Sequence, residues 1–130
     1  CGLLYTAVRL LQPDLLIVLT SKKFEDDVET VLQRTGPVEC HTVLMQDVFT
    51  GFDETESLVG KIKNFVKSGD LVNINLTGGT TAMQWVMQAA FEALQAKTKK
   101  LKRVAFIDRR DSSEQKLSPW VVGEIYRIDK

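Results

Sequence analysis

Residues 71–83 (LVNINLTGGTTAM) constrain the fold more than any other part of the chain. The first half has the apolar pattern of a buried strand, and the apolar stretch after Thr81 has that of a helix. Gly78 and Gly79 tolerate backbone angles or close approaches that a Cβ atom would block. Thr80 or Thr81 is suited to cap the helix. Such a junction leaves N–H groups free at the positive end of a helix, so we expect a phosphorylated ligand.

Length and composition exclude several classes of protein. The 130 residues fit one domain, and 17 basic and 17 acidic residues give no net charge, which argues against a binder of duplex DNA or RNA. Cys1 and Cys40 lack metal-ligand spacing and point to a reducing compartment. His41 has no cysteine or carboxylate cluster beside it, so no metal site is expected. The sequence contains neither a signal peptide nor an apolar run of about 20 residues.

Strands alternate with helices along the chain, which predicts an α/β fold. We expect a Rossmann-like three-layer sandwich, with a mostly parallel sheet of about five or six strands. The last predicted strand follows an irregular loop without an intervening helix, so we expect it to run antiparallel at an edge. Asp53 and Glu56 have capping-box spacing before a helix. The strands are predicted at residues 15–19, 38–44, 71–76, 103–107 and 120–128.

Ligands of such sheets bind outside the carboxyl ends of the strands. This rule selects four loops, residues 20–23, 47–52, 77–81 and 108–113, all rich in hydroxyl, amide or charged groups.

For each candidate in these loops or at the strand end beside them, a structural role competes with a ligand contact. In one alternative Ser21 caps a helix and Lys22 faces solvent. In the other alternative both residues bind a phosphate. Asn75 either reaches the ligand or supports neighbouring loops. Arg109 and Arg110 either pair with the aspartates beside them or face an anion. The glycine turn itself could be only a tight junction, although three threonine hydroxyls are more than a turn requires.

The predicted helix over residues 81–96 (TAMQWVMQAAFEALQA) is apolar almost all round. A helix of this kind must be covered on both sides, and the sheet covers one side only. A second copy of the chain is the simplest cover for the other, so we expect a two-fold homodimer.

The motif at residues 75–83 (NLTGGTTAM), placed between a central strand and an apolar helix, resembles the signature of CRISPR-associated Rossmann-fold (CARF) domains. Thr20 and Ser21, after the first strand, resemble the second ligand motif of that family. The resemblance covers the order of elements from about Leu15 to Ile128, and only the Thr/Gly motif is specific.

The resemblance implies a homodimer that binds a cyclic oligoadenylate, a second messenger of type III CRISPR antiviral defence, and that needs no cofactor. Cyclic tetra-adenylate is favoured because it is common in the family. Carried over by position, the ligand contacts are Thr20, Ser21, Thr77, Gly78, Gly79, Thr80 and nearby Met83. The predicted ligand-binding set also includes four residues in or beside the ligand-side loops, namely Lys22, Asn75, Thr81 and Arg109.

Many CARF relatives have a lysine directly after Gly-Gly-Thr, where this chain has Thr81. Some relatives cleave the ring slowly without metal, and the missing lysine puts that activity in doubt. No catalytic residue is predicted. Two alternatives to a sensor stay open, namely a metal-independent ring nuclease and a generic nucleotide-binding or dimerisation module.

Residues 1–14 are expected to form an N-terminal segment, the end of a linker from an upstream element, and residues 15–130 the sensor domain. The start at Cys1 and the apolar stretch GLLYTAVRLL resemble the membrane-associated CARF proteins, in which a transmembrane helix precedes the sensor. This implies a cytoplasmic domain of a protein anchored in the inner membrane, with the effector absent from this chain.

Overall fold

Helices and strands alternate through the chain in a computed structural model that describes residues 2–130. Short 3₁₀ turns at Lys22–Phe24 and Gly51–Glu54 precede the second and third helices. In chain order the elements are α1 (Gly2–Leu11), β1 (Leu15–Thr20), α2 (Glu25–Thr35), β2 (Glu39–Leu44), α3 (Thr55–Phe65), β3 (Val72–Asn75), α4 (Thr81–Leu94), β4 (Leu101–Ile107), α5 (Ser112–Leu117) and β5 (Glu124–Arg127).

The strand directions agree with the prediction. β1 pairs with β2 and β3 pairs with β4 in parallel, whereas β5 runs antiparallel to β4 at the edge. The strands nevertheless form two hydrogen-bonded groups, β1-β2 and β3-β4-β5, rather than one continuous sheet. A cleft whose lining includes Ile17, Leu19 and Ile74 lies between β1 and β3. Five strands is the lower of the two predicted numbers.

The two faces of β4 contact different helices, which gives the predicted three layers. Leu101 joins the larger core with residues of α3 and α4. Val104 and Phe106 lie on the other face, because side chains alternate along a strand, and they pack against Ala7 of α1. The largest fully buried side chains of the larger core are Val43, Met45, Leu58, Val86 and Leu94.

Helix α1 packs on the rest of the fold. Tyr5, Ala7 and Val8 are buried, and the Thr6 hydroxyl accepts a hydrogen bond of 3.0 Å from the backbone N–H of Gly123. The sequence assigned this segment to a linker, and the boundary after residue 14 stays a prediction. Among residues 2–130 no helix has the length and hydrophobicity that crossing a membrane requires.

The polar stretch after β4 is not the irregular loop that the sequence predicts. It contains α5, which Asp111 caps by accepting a 2.9 Å hydrogen bond from the N–H of Glu114. Strand β5 begins at Glu124 and not at residue 120. Gly123 lies so close to the carbonyl of Ile107 that a Cβ atom there would collide with it, which explains a glycine at the entrance to the strand.

The predicted capping box before α3 is wrong, and Ser21 matches the alternative of a helix cap in position only. The capping box of Asp53 and Glu56 does not form, because α3 begins at Thr55 and has no side-chain cap. The Glu54 carboxylate instead accepts hydrogen bonds of 2.8 and 2.9 Å from the N–H groups of Gln46 and Asp47, and so holds the loop after β2. Ser21 occupies an N-cap position, but its hydroxyl makes no capping hydrogen bond.

Candidate functional site

The turn between β3 and α4 depends on two glycines in the left-handed region. Gly78 has φ of 81° and Gly79 has φ of 74°, angles that residues with a Cβ atom rarely adopt. A Cβ atom on Gly78 would meet nothing within 4 Å, so backbone conformation alone explains that glycine. A Cβ atom on Gly79 would also lie 3.2 Å from the sulfur of half-buried Met83. The predicted role of both glycines in the turn is confirmed.

Thr80 caps α4, as one of the two predicted alternatives. Its hydroxyl oxygen accepts a 3.2 Å hydrogen bond from the N–H of Met83. The same hydroxyl donates to the carbonyl of Val48, in the loop between β2 and α3. Thr80 therefore joins two of the four loops that the sequence placed at the ligand edge.

Asn75 and Thr77 shape the turn from its β3 side. The Asn75 side chain accepts a 2.7 Å hydrogen bond from the N–H of Thr77 and donates a 3.3 Å bond to the Thr77 carbonyl. The Thr77 hydroxyl oxygen accepts a 2.7 Å bond from the N–H of Phe106 in β4. The structure thus gives Asn75 a supporting role within the turn.

Gln84, which the sequence analysis did not select, holds the turn from its α4 side. Its side-chain amide donates to the carbonyl of Gly78. The available signal was a polar residue in the first turns of an otherwise apolar helix.

Five consecutive backbone N–H groups are free at the start of α4. Hydrogen bonds within residues 2–130 include none donated by the N–H groups of Gly78, Gly79, Thr80, Thr81 or Ala82. Gly78, Gly79 and Thr81 are exposed, so solvent reaches the turn. The positive end of a helix with unpaired N–H groups attracts anions, and phosphate is a common one.

The predicted residues at the end of β1 make no hydrogen bond to this turn within residues 2–130. Thr20 is buried at the end of β1, and its carbonyl accepts a 2.8 Å hydrogen bond from the N–H of Met45. Ser21 is half-buried and Lys22 is exposed. No hydrogen bond in the described part of the chain links Thr20, Ser21 or Lys22 to the glycine turn, and the separation of β1 from β3 lies between them.

A cleft of about 870 Å³ opens beside the turn. Asn75, Thr77 and Gly78 form one wall. Val18 of β1 and the last residues of β4 form another, and α1 and α5 close the remaining sides.

The structure places Arg110, and not the predicted Arg109, at this cleft. Arg109 pairs with Glu124 at 2.5 Å, and its side chain is 72% exposed. Arg110 binds the Asp108 carboxylate through two nitrogens, at 3.0 and 2.8 Å, and its side chain is 21% exposed. These hydrogen bonds stabilise the charged carboxylate and lower the pKa of Asp108.

No family model and no curated protein matches the sequence. Eleven chains of solved structures match the fold. One is Enterococcus italicus Csm6 bound to cyclic hexa-2′-fluoro-hexa-dAMP, with a TM-score of 0.58 and 14% identity over 99% of this chain. The chain has a CARF-like fold. It covers 37% of the length of that Csm6 chain.

An aromatic patch is exposed on the side of α4 that faces away from the larger core. We define this patch as Phe49, Phe52 and Trp85, which are 76%, 43% and 60% exposed. The Phe52 and Trp85 rings meet edge to face with centroids 6.1 Å apart. Helix α3 and the sheet cover most of α4, so only part of its predicted uncovered side remains, and Trp85 lies there.

Proposed function

We propose that this domain is a homodimeric sensor that binds a cyclic oligoadenylate in type III CRISPR antiviral defence and regulates an effector outside this chain. Cyclic tetra-adenylate is the favoured ring. The observation that carries the proposal is the row of free N–H groups from Gly78 to Ala82 at the start of α4. The similar Csm6 structure is bound to a cyclic hexanucleotide, which supports the same ligand class.

The chemistry of the turn suits a phosphodiester. Backbone N–H groups bind phosphate oxygens through charge-assisted hydrogen bonds, which are stronger than those between neutral groups. The dipole of α4, a helix of 14 residues, adds to this attraction. The exposed Thr81 hydroxyl provides a further donor at the turn.

A second copy of the chain fits the aromatic patch. Exposed aromatic side chains that cluster beside a helix commonly mark a protein interface. A two-fold axis near Trp85 brings together two α4 helices and therefore two glycine turns. A ring with several equivalent phosphates is complementary to such a pair of turns.

Calorimetry tests the proposal with cyclic tetra-adenylate, cyclic hexa-adenylate and linear tetra-adenylate. We expect at least one ring to bind at micromolar protein, with one ring for two chains, and the linear form to bind more weakly. Absence of binding by both rings would refute the sensor. Chromatography of the recovered ligand distinguishes binding from cleavage, since a metal-independent ring nuclease yields linear products even in the presence of a chelator.

A further inference from the structure

The cleft beside the glycine turn is larger than a phosphate group requires. It measures about 870 Å³ and begins at Gly78, next to the free N–H groups. Leu3, Leu4 and Pro119 supply apolar walls, and Arg110 and Gln115 supply polar groups. Sites for planar organic ligands combine apolar walls with a few polar groups that fix orientation. Binding of phosphate at the turn leaves this space unexplained.

Arg110 is held rigidly at the cleft. Its Nε and Nη2 atoms donate to the two Asp108 oxygens at 3.0 and 2.8 Å, and its Nη1 donates to the carbonyl of Ser118 at 2.8 Å. All three hydrogen bonds lie near the plane of the guanidinium, because its N–H groups point outward in that plane. They occupy the edge of the guanidinium, and the side chain, which is 21% exposed, lines the cleft. The carboxylate also balances its charge, which makes Arg110 a weaker partner for phosphate than a free arginine.

Gln115 offers an unused acceptor in the same cleft. Its side-chain nitrogen donates a 2.8 Å hydrogen bond to the carbonyl of Arg110, which fixes the orientation of the amide. Its side-chain oxygen accepts no hydrogen bond within residues 2–130. An oxygen fixed in this way suits an exocyclic amino group, such as the N6 amine of adenine.

We propose that the cleft binds one adenine base of the ligand, with the Arg110 guanidinium stacked on the base and the Gln115 oxygen accepting from its amino group. Arginine stacks on planar groups because it is delocalised and weakly hydrated. The inference rests on the proposed function, because the ring phosphates at the turn bring the base to the cleft. It gives specificity-determining roles to Arg110, which the sequence left as an alternative to Arg109, and to Gln115, which the sequence did not indicate.

The matched variants are Arg110→Lys and Arg109→Lys. Both retain the positive charge and lose the planar guanidinium, but only the first lies at the cleft. We expect Arg110→Lys to weaken cyclic tetra-adenylate binding by roughly tenfold or more, as loss of a stacked base does, and Arg109→Lys to leave it unchanged. Equal binding by Arg110→Lys and the wild type, with intact folding by circular dichroism, overturns the inference.

A second comparison keeps the inference testable if Arg110→Lys unfolds. Gln115→Leu changes a half-buried residue of short helix α5. We expect the wild type to prefer cyclic tetra-adenylate to cyclic tetra-inosinate, which lacks the amino group, and Gln115→Leu to lose most of that preference. A wild type that binds both rings equally contradicts recognition of the adenine amino group. A wild type that binds no ring contradicts the proposed sensor function.

Discussion

The residues of the glycine turn divide into those that fix its shape and those left for a ligand. The side chains of Asn75, Thr77 and Thr80 form hydrogen bonds with the backbone of the turn and of neighbouring segments. Thr81 is exposed and makes no side-chain hydrogen bond within residues 2–130. We therefore expect substitutions of the first group to change stability, and those of Thr81 to change ligand binding alone.

Thr80→Val tests the supporting role of the hydroxyl. Valine retains the branched shape but loses both the cap of α4 and the bond to Val48. We expect the free energy of unfolding, measured in urea, to fall by about 1–2 kcal/mol. Thr80→Ser restores the hydroxyl and should recover most of the loss. Thr81→Val is the control and should unfold like the wild type; an equal loss there contradicts the division of roles.

Gly78→Ala tests the backbone conformation of the turn against a matched glycine. Gly78 and Gly69 have φ of 81° and 85°, and in each case a Cβ atom would meet nothing within 4 Å. Alanine at either position is therefore expected to cost about 1 kcal/mol of stability through backbone strain alone. Only Gly78→Ala should also weaken ring binding in calorimetry, because only Gly78 lies among the free N–H groups. Equal affinities of the two variants would argue against a ligand at the turn.

Among the elements, β4 is joined to the segment just after β5 by an ion pair, and the arginine of this pair also contacts α4. Asp129 accepts hydrogen bonds of 2.8 to 2.9 Å from the backbone and side chain of Arg103. The Arg103 guanidinium lies over the Phe91 ring of α4, 4.2 Å from its centre. These hydrogen bonds favour the charged carboxylate and lower the pKa of Asp129 to about 2.

The lowered pKa predicts a pH dependence of stability. A carboxyl with a lower pKa in the folded state stabilises the fold above its unfolded pKa, here 3.8, and loses that effect as the pH falls toward about 2. We expect Asp129→Asn to lower the melting temperature at pH 7, and the difference from the wild type to shrink as the pH falls toward 2. Glu124→Gln, at the exposed pair with Arg109, serves as the control and should change little at either pH. A difference between Asp129→Asn and the wild type that is as large at pH 2 as at pH 7 contradicts this account.

Elements with strong local signals were predictable from the sequence. The β3–turn–α4 junction follows from the apolar runs and two adjacent glycines. Helix α5 was missed because it has six residues and buries none of them, so no apolar periodicity indicates it. The contact of Gln84 with Gly78 and the choice of Arg110 over Arg109 depend on tertiary packing. So does the separation of β1 from β3, which strand patterns do not encode.

At the scale of the whole molecule, the aromatic patch is an exposed apolar surface that a second copy of the chain would cover. Trp85 lies on α4, whose opposite side forms the larger core through Val86 and Ala90. A dimer through this patch would bury side chains that now face water, without disturbing the layers beneath. The candidate interface and the glycine turn share one helix, so dimerisation and ligand binding are expected to influence each other.

Trp85→Glu tests the dimer. A charge at the centre of the patch is costly to bury, so we expect this variant to sediment as a monomer at concentrations where the wild type is a dimer. Leu117→Glu is the matched control, since Leu117 is 84% exposed on α5, away from the patch, and should leave the dimer intact. A wild type that sediments as a monomer, with or without ring ligand, rules out the homodimer.

The way in which Asn75, Thr80 and Gln84 hold the glycine turn has a kinetic consequence. Because protein groups already fix the turn, an arriving ligand has little backbone to order. Differences in affinity among rings should then appear mainly in how long each ring stays bound and less in how fast it arrives. In the proposed sensor, that residence time would set how long the signal persists after the free ring has gone.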